Sequence, residues 1–195
     1  MQQEFDAAYW QQRYQLNQTG WDTSGITTPL KEYFDQLTAK DLRILIPGCG
    51  NAYEAEYLFN QGFTQVYVAD VAPAPLENFA NRVQHFPKEH LLLQNFFDLQ
   101  GQYDLIVEQT FFCALNPDLR AAYARKCAEL LVPGGKLVGL LFDTTFEREG
   151  PPFGGSAEEY RQYFEPYFRF VHFERAYNSI TPRQGSELFI NLQKK

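Results

Sequence analysis

Residues 43–62 read RILIPGCGNAYEAEYLFNQG, and this stretch decides the fold. Arg43 to Pro47 is a short apolar run of strand length, and Gly48 and Gly50 then bracket Cys49 in a sharp turn. Beyond the turn, Ala52, Ala55, Leu58 and Phe59 share one helical face, and Gly62 supplies the stop. A strand that passes through a glycine turn into a helix is the opening unit of a parallel sheet covered by helices. Glycine suits such a turn because it accepts backbone angles closed to other residues and lets a ligand approach the main chain.

The alternation continues outward. QVYVAD (65–70) reads as the second strand, ended by Asp70, and VAPAPLENFANRV (71–83) as a helix with proline in its first turn. LLLQNFF (91–97) predicts a third strand closing on Asp98, and YDLIVEQ (103–109) a fourth closing on Glu108 and Gln109. PDLRAAYARKCAELL (117–131) predicts a helix begun by Pro117 and stopped by Pro133-Gly134-Gly135, with KLVGLLF (136–142) the fifth strand, ended by Asp143. After the loop REGPPFGGS (148–156), a helix around AEEYRQYFEPY leads to two strand-like runs, FRFVHFERAY (168–177) and ELFINLQ (187–193), which predict an edge hairpin.

Before Arg43, EFDAAYWQQRY and TTPLKEYFDQL predict two helical pieces, the second with Thr28 as N-cap and Pro29 as first helical residue. The expected fold is therefore α/β: a seven-stranded mixed sheet with helices on both faces, an antiparallel last strand and an N-terminal helical cap. Residues 1–195 read as one domain, with the cap in residues 1–40.

Composition narrows the function. The chain has 17 Lys and Arg against 24 Asp and Glu, a net charge of -7, and no basic cluster, which argues against a nucleic-acid partner. The opening MQQEFDAAYWQQRY has no signal-peptide pattern, and no run of about 18 apolar residues follows, so no membrane partner is expected. Cys49, Cys113 and Cys127 form no C-x-x-C pair and read as reduced thiols, consistent with a cytoplasmic monomer and with no metal site. The 18 Phe and 12 Tyr are many, and aromatics suit both cores and pockets for flat ligands.

In an open parallel sheet, ligands collect at the carboxyl ends of the strands where the strand order reverses. Gly48, Gly50, Asp70, Asp98, Glu108, Gln109 and Asp143 all fall at such ends. Asp70, twenty residues beyond Gly50, is placed to accept ribose hydroxyls, and Asp98 an adenine amino group. Glu54, in the first helical turn, complements the helix dipole or adds negative potential toward a cationic ligand. A dinucleotide loop reads G-x-G-x-x-G, but its third glycine is Tyr53 here. That favours S-adenosylmethionine, which carries no pyrophosphate, and leaves an NAD-dependent oxidoreductase as the alternative. A binding module that holds the sulfonium cofactor without turnover is a second alternative.

The run IPGCGNAYEAEYLFNQGF, the VEQTFFCALNP segment, the GPPF loop and the spacing Trp10, Tyr14, Trp21-Asp22 together resemble the thiopurine S-methyltransferase superfamily, most of all its thiol, thiocyanate and halide methyltransferases. The likeness runs from about Phe5 to Gln193. It implies that Trp10, Tyr14 and Trp21 close over the cofactor, that Gly48 touches its methionine part, Asp70 the ribose and Asp98 the adenine. It also implies that Gln109 lies near the methyl group. Two positions depart from the family pattern: Tyr14 stands where relatives often have Trp, and Gln109 where many have Tyr.

The expected chemistry is in-line methyl transfer to a small soft nucleophile, most of all a thiol, with thiocyanate or halide as lesser alternatives. Oxygen and nitrogen acceptors often need a base, and His85, His90 and His172 lie outside the strand-end motifs. Phe111, Phe112, Pro151, Pro152 and Phe153 are expected as pocket walls. Glu108 is expected near the methyl group, where it would repel an anionic acceptor unless Arg148 or Arg183 offsets it.

Overall fold

A computed structural model describes residues 5–147 and 149–195. Seven strands form one sheet in the order β3-β2-β1-β4-β5-β7-β6. They are β1 Ile44–Pro47, β2 Val66–Asp70, β3 Leu91–Leu93, β4 Tyr103–Gln109, β5 Leu131–Phe142, β6 Phe168–Arg175 and β7 Glu187–Lys194. The first five run parallel, whereas β7 pairs antiparallel with both β5 and β6. The chain steps outward from β1 to β3 and then crosses back to β4, so strand order reverses between β1 and β4. That reversal opens a crevice at their carboxyl ends.

Helices cover both faces. Helices α2 (Thr28–Phe34), α3 (Tyr53–Asn60) and α4 (Pro73–Arg82) pack one face through Leu30, Phe34, Ala55, Leu58, Leu76 and Phe79. Helices α5 (Arg120–Leu130) and α6 (Ala157–Phe164) pack the other through Tyr123, Ala124, Cys127, Tyr160 and Phe164. Phe34, Phe79 and Phe164 are fully withdrawn from water, worth roughly 1.5–3 kcal/mol apiece. Helix α1 (Ala7–Gln15) buries none of its residues against the sheet. It is tied to the start of α4 by the Ala74 N–H, which donates to Gln11 Oε1 at 3.0 Å.

Three local expectations are corrected. The third strand stops at Leu93, because the Asn95 side chain accepts from the Phe97 N–H and turns Phe96–Asp98 into a 3-10 turn. Strand β5 begins at Leu131, directly after α5, and carries Pro133-Gly134-Gly135 as a bulge: Tyr103 pairs with Leu131, but Leu105 pairs with Lys136. Thr27, not Thr28, is the N-cap of α2, which shifts Pro29 to the second helical position.

Candidate active site

The turn after β1 is built on positive backbone angles: φ is 55° at Gly48, 53° at Gly50 and 54° at Ala52. The Cys49 N–H donates to the Ala69 carbonyl at 3.1 Å, pinning the turn to β2. Asp70 closes the arrangement. Its Oδ2 accepts from the Gly50 N–H at 3.2 Å and its Oδ1 from the Ala72 N–H at 2.9 Å. Burial outweighs these donors and pushes the Asp70 carboxyl up to about 6.

At the end of β4, Glu108 is wholly buried. Its Oε1 accepts from the Phe111 and Phe112 N–H groups at 2.8 and 2.9 Å, and its Oε2 from the Tyr123 hydroxyl at 2.5 Å. Burial pushes its carboxyl up to about 7. These bonds fold the chain back on itself through Thr110, whose φ is 57°, and set Gln109 and Phe111 into the crevice.

The N-terminal cap roofs the crevice with aromatic rings. Trp10 and Trp21 meet edge to face at 5.4 Å, and Tyr14 and Trp21 at 5.7 Å. Burial, and next the Asp70 charge, push the Tyr14 hydroxyl far above its ordinary range, so it stays protonated and able to donate. The Trp21 carbonyl accepts from Arg183 Nη2 at 2.7 Å, linking the cap to the turn before β7.

The cavity measures about 540 Å³, within the usual span of small-ligand sites. Trp10, Tyr14, Trp21, Gly48, Gly50, Asp70, Gln109, Phe111, Pro151 and Pro152 all line it, as expected. Four expected residues do not. Asp98 is exposed beyond the cavity, because the 3-10 turn carries it past the strand end, and Gln94, Asn95, Phe96 and Phe97 line the wall instead. Glu108 and Phe112 sit behind the wall, the first held by its three donors and the second in the core. Phe153 is not part of the lining; its ring meets that of Phe5, which is, at 5.6 Å. Since Glu108 is internally satisfied, no cation has to offset it; Arg148, named for that part, lies outside the described residues.

Asp22, Cys113, Phe142, Phe146 and Ser186 also line the cavity without having been expected there, and so does Glu54, for which the sequence left a cationic ligand and the helix dipole both open. Glu54 carried a signal in its place one turn past the glycine loop, which the helix dipole explained just as well. Cys113 is buried, and burial pushes its thiol far above the range in which it ionises at neutral pH.

The residues suit S-adenosylmethionine. A Cβ on Gly50 would enter the cavity and lie 3.2 Å from the Tyr14 hydroxyl, so the bare main chain is open to a ligand there. Asp70 offers carboxylate oxygens to hydroxyl donors. Gln109 Oε1 is buried with no partner among the described residues, an acceptor awaiting a donor.

The profile of the thiopurine S-methyltransferase family matches residues 5–190. The chain belongs to this family. It is an S-adenosylmethionine-dependent methyltransferase. Among relatives, a probable thiol methyltransferase 2 of Arabidopsis thaliana is 27% identical over 91% of this chain and 81% of its own. Thiocyanate methyltransferase 1 of Brassica oleracea is 30% identical with the same coverage. A thiopurine S-methyltransferase of Psychrobacter cryohalolentis is 28% identical over 85% of this chain and 87% of its own. In three dimensions, the 1,6-didemethyltoxoflavin-N1-methyltransferase of Burkholderia thailandensis superposes with a TM-score of 0.76, covering 97% of this chain and 87% of that one at 16% identity. A TehB-like methyltransferase of Corynebacterium glutamicum gives 0.66, covering 96% and 97% at 18% identity. These two likenesses are of fold.

Proposed function

We propose that this family member methylates a small thiol on sulfur, with thiocyanate or a halide as lesser acceptors. The observation that carries the reading is the make-up of the cavity lining, which includes Cys113, Phe142, Phe146, Pro151 and Pro152 and has no histidine among its described residues. Glu108, the carboxylate that the sequence reading placed near the methyl group, is turned away and occupied. A thiolate or a soft anion arrives already nucleophilic and needs only a shaped, partly apolar pocket, whereas catechols and amines gain from a positioned base. The names of the thiol and thiocyanate methyltransferase relatives point the same way.

When bound, the cofactor supplies an electrophilic methyl group. The chain's part is to hold and align. Asp70 would hold the ribose, Gln94 to Phe97 the adenine, and Trp10, Tyr14 and Trp21 would shut out water. Gln109 would present its unpartnered carbonyl near the reacting centre. We further infer that residues 1–195 act as one domain, as a cytoplasmic monomer without a nucleic-acid partner. The acidic balance and the three unpaired cysteines support this, and no helix among the described residues is long and apolar enough to cross a membrane.

The test is a panel of thiols, thiocyanate, iodide, catechols and amines, followed by S-adenosylhomocysteine release. Turnover of the soft acceptors is expected; turnover confined to catechols or amines overturns the reading.

A further inference from the structure

We propose that Glu54 and Arg183 form a charge clamp for the amino-acid end of the cofactor, the carboxylate facing its ammonium and the guanidinium its carboxylate. Both side chains line the same cavity, yet they come from elements far apart in sequence: the first turn of α3 and the turn before β7. Glu54 is only 5% exposed, and among the described residues no side chain donates a hydrogen bond to it. A carboxylate in that position costs free energy unless a positive charge compensates it.

The protein alone compensates it poorly. Burial pushes the Glu54 carboxyl up to about 7 despite its own backbone N–H and the attraction of Arg183, while Asp22 of the cap repels it. Arg183 is similarly incomplete. One nitrogen is spent on the Trp21 carbonyl, and another forms a long ion pair with buried Glu187, whose Oε1 stands 3.5 Å away at the outer limit of a hydrogen bond, so that partner uses the charge only in part. The guanidinium therefore retains attraction for a further anion. A ligand carrying one ammonium and one carboxylate on a single carbon satisfies both groups together, and a nucleoside alone satisfies neither. Because the Arg183 guanidinium also holds the Trp21 carbonyl, seating that end fastens the cap as well.

The test separates the amino-acid end from the rest of the ligand. S-adenosylhomocysteine and methylthioadenosine share the nucleoside thioether, but only the first has the amino acid. Calorimetric titration of each into wild type, Glu54→Gln and Arg183→Gln gives the affinity ratio directly, and thermal unfolding of the ligand-free variants reads the fold. Expected is a loss of about tenfold or more for S-adenosylhomocysteine in each variant, with methylthioadenosine binding unchanged. Ligand-free Glu54→Gln is expected to melt at or above wild type, since it sheds an uncompensated charge. An unchanged ratio of the two affinities overturns the clamp, whether both fall together or both hold. Loss of methylthioadenosine binding alongside S-adenosylhomocysteine would mark a structural role; absence of binding of either to wild type would instead strike the cofactor assignment.

Discussion

The ring of Phe111 occupies the space into which a side chain on Gly48 would grow: a Cβ there would lie 2.8 Å from the Cβ of Phe111, with the ring closer still. Gly48 thus serves the protein's own packing as well as the ligand, since it lets the turn after β4 press against the turn after β1. Gly48→Ala adds this collision to a φ of 55° that L-residues resist. Destabilisation of about 2–5 kcal/mol is expected by chemical denaturation. Gly25→Ala, which meets no atom within 4 Å, serves as the control and is expected to be near neutral.

Glu108 is expected to behave as a structural anchor. Glu108→Ala leaves two backbone N–H groups and the Tyr123 hydroxyl without an acceptor, and a loss of about 3–5 kcal/mol in stability is expected. Glu108→Gln keeps an acceptor and the shape, so kcat should stay within a few-fold of wild type. A drop of about a hundredfold or more at full folding would instead mark a general base.

Asp70 provides the contrast with Glu54. If its carboxylate holds the ribose, Asp70→Asn weakens S-adenosylhomocysteine and methylthioadenosine alike, by about tenfold or more, because both ligands carry the ribose. Calorimetry showing wild-type affinity for both would remove Asp70 from the site.

The strand-helix alternation and most of the strand-end polar residues were legible because each rests on local pattern, apolar runs and glycine turns, whereas the aromatic cap of Trp10, Tyr14 and Trp21 was legible only through the family resemblance. Asp98 and Glu108 misled for a different reason. Both stand at the ends of apolar runs, where sequence reading places ligand contacts, but their orientation depends on a side-chain-capped turn at Asn95 and on a tyrosine fifteen residues away in α5. The pairing of Glu54 with Arg183 spans most of the chain. Only the insertion of β7 beside β5 brings that arginine to the crevice, and no local pattern announces it.

Ligand-free stability should fall as pH rises through the mildly acidic range. The ordinary values for Asp70, Glu54 and Glu108 are 3.8, 4.5 and 4.5, and burial pushes them up to about 6, 7 and 7. Between about pH 4 and pH 7 the folded chain therefore holds more protons than the unfolded chain, and the slope of stability against pH is negative. Glu54 faces Arg183 and Asp22, Asp70 faces the N–H groups of Ala72, Gly50 and Val71, and Glu108 faces the Tyr123 hydroxyl and the N–H groups of Phe111 and Phe112. Melting temperature is expected to drop from about pH 5 to about pH 7.5, and less steeply with saturating S-adenosylhomocysteine, whose ammonium would offset Glu54. A flat or rising ligand-free curve would contradict the burial of these carboxylates.

The cap should be loosely held until the cavity is filled. Helix α1 has nine residues, none buried, and a helix this short is marginal in water without packing. Its anchors are few: Gln11 on Ala74, the Phe5 ring on Phe153, and, past the helix, Arg183 on the Trp21 carbonyl with Asn51 and Tyr53 on the Asp22 carboxylate. A ligand against Trp10, Tyr14 and Trp21 would give this segment the apolar contact it lacks. Hydrogen exchange through residues 5–25 is expected to slow by about tenfold or more with S-adenosylhomocysteine, while the central strands β4 and β5 stay protected in both states. The chain has two tryptophans, and both lie in this cap, so intrinsic fluorescence observes it without a label. The emission should shift or quench on titration with S-adenosylhomocysteine, with a midpoint matching the calorimetric affinity. Unchanged emission and equal exchange in both states would show that the cap is already closed and rigid, and that cofactor entry does not depend on its movement.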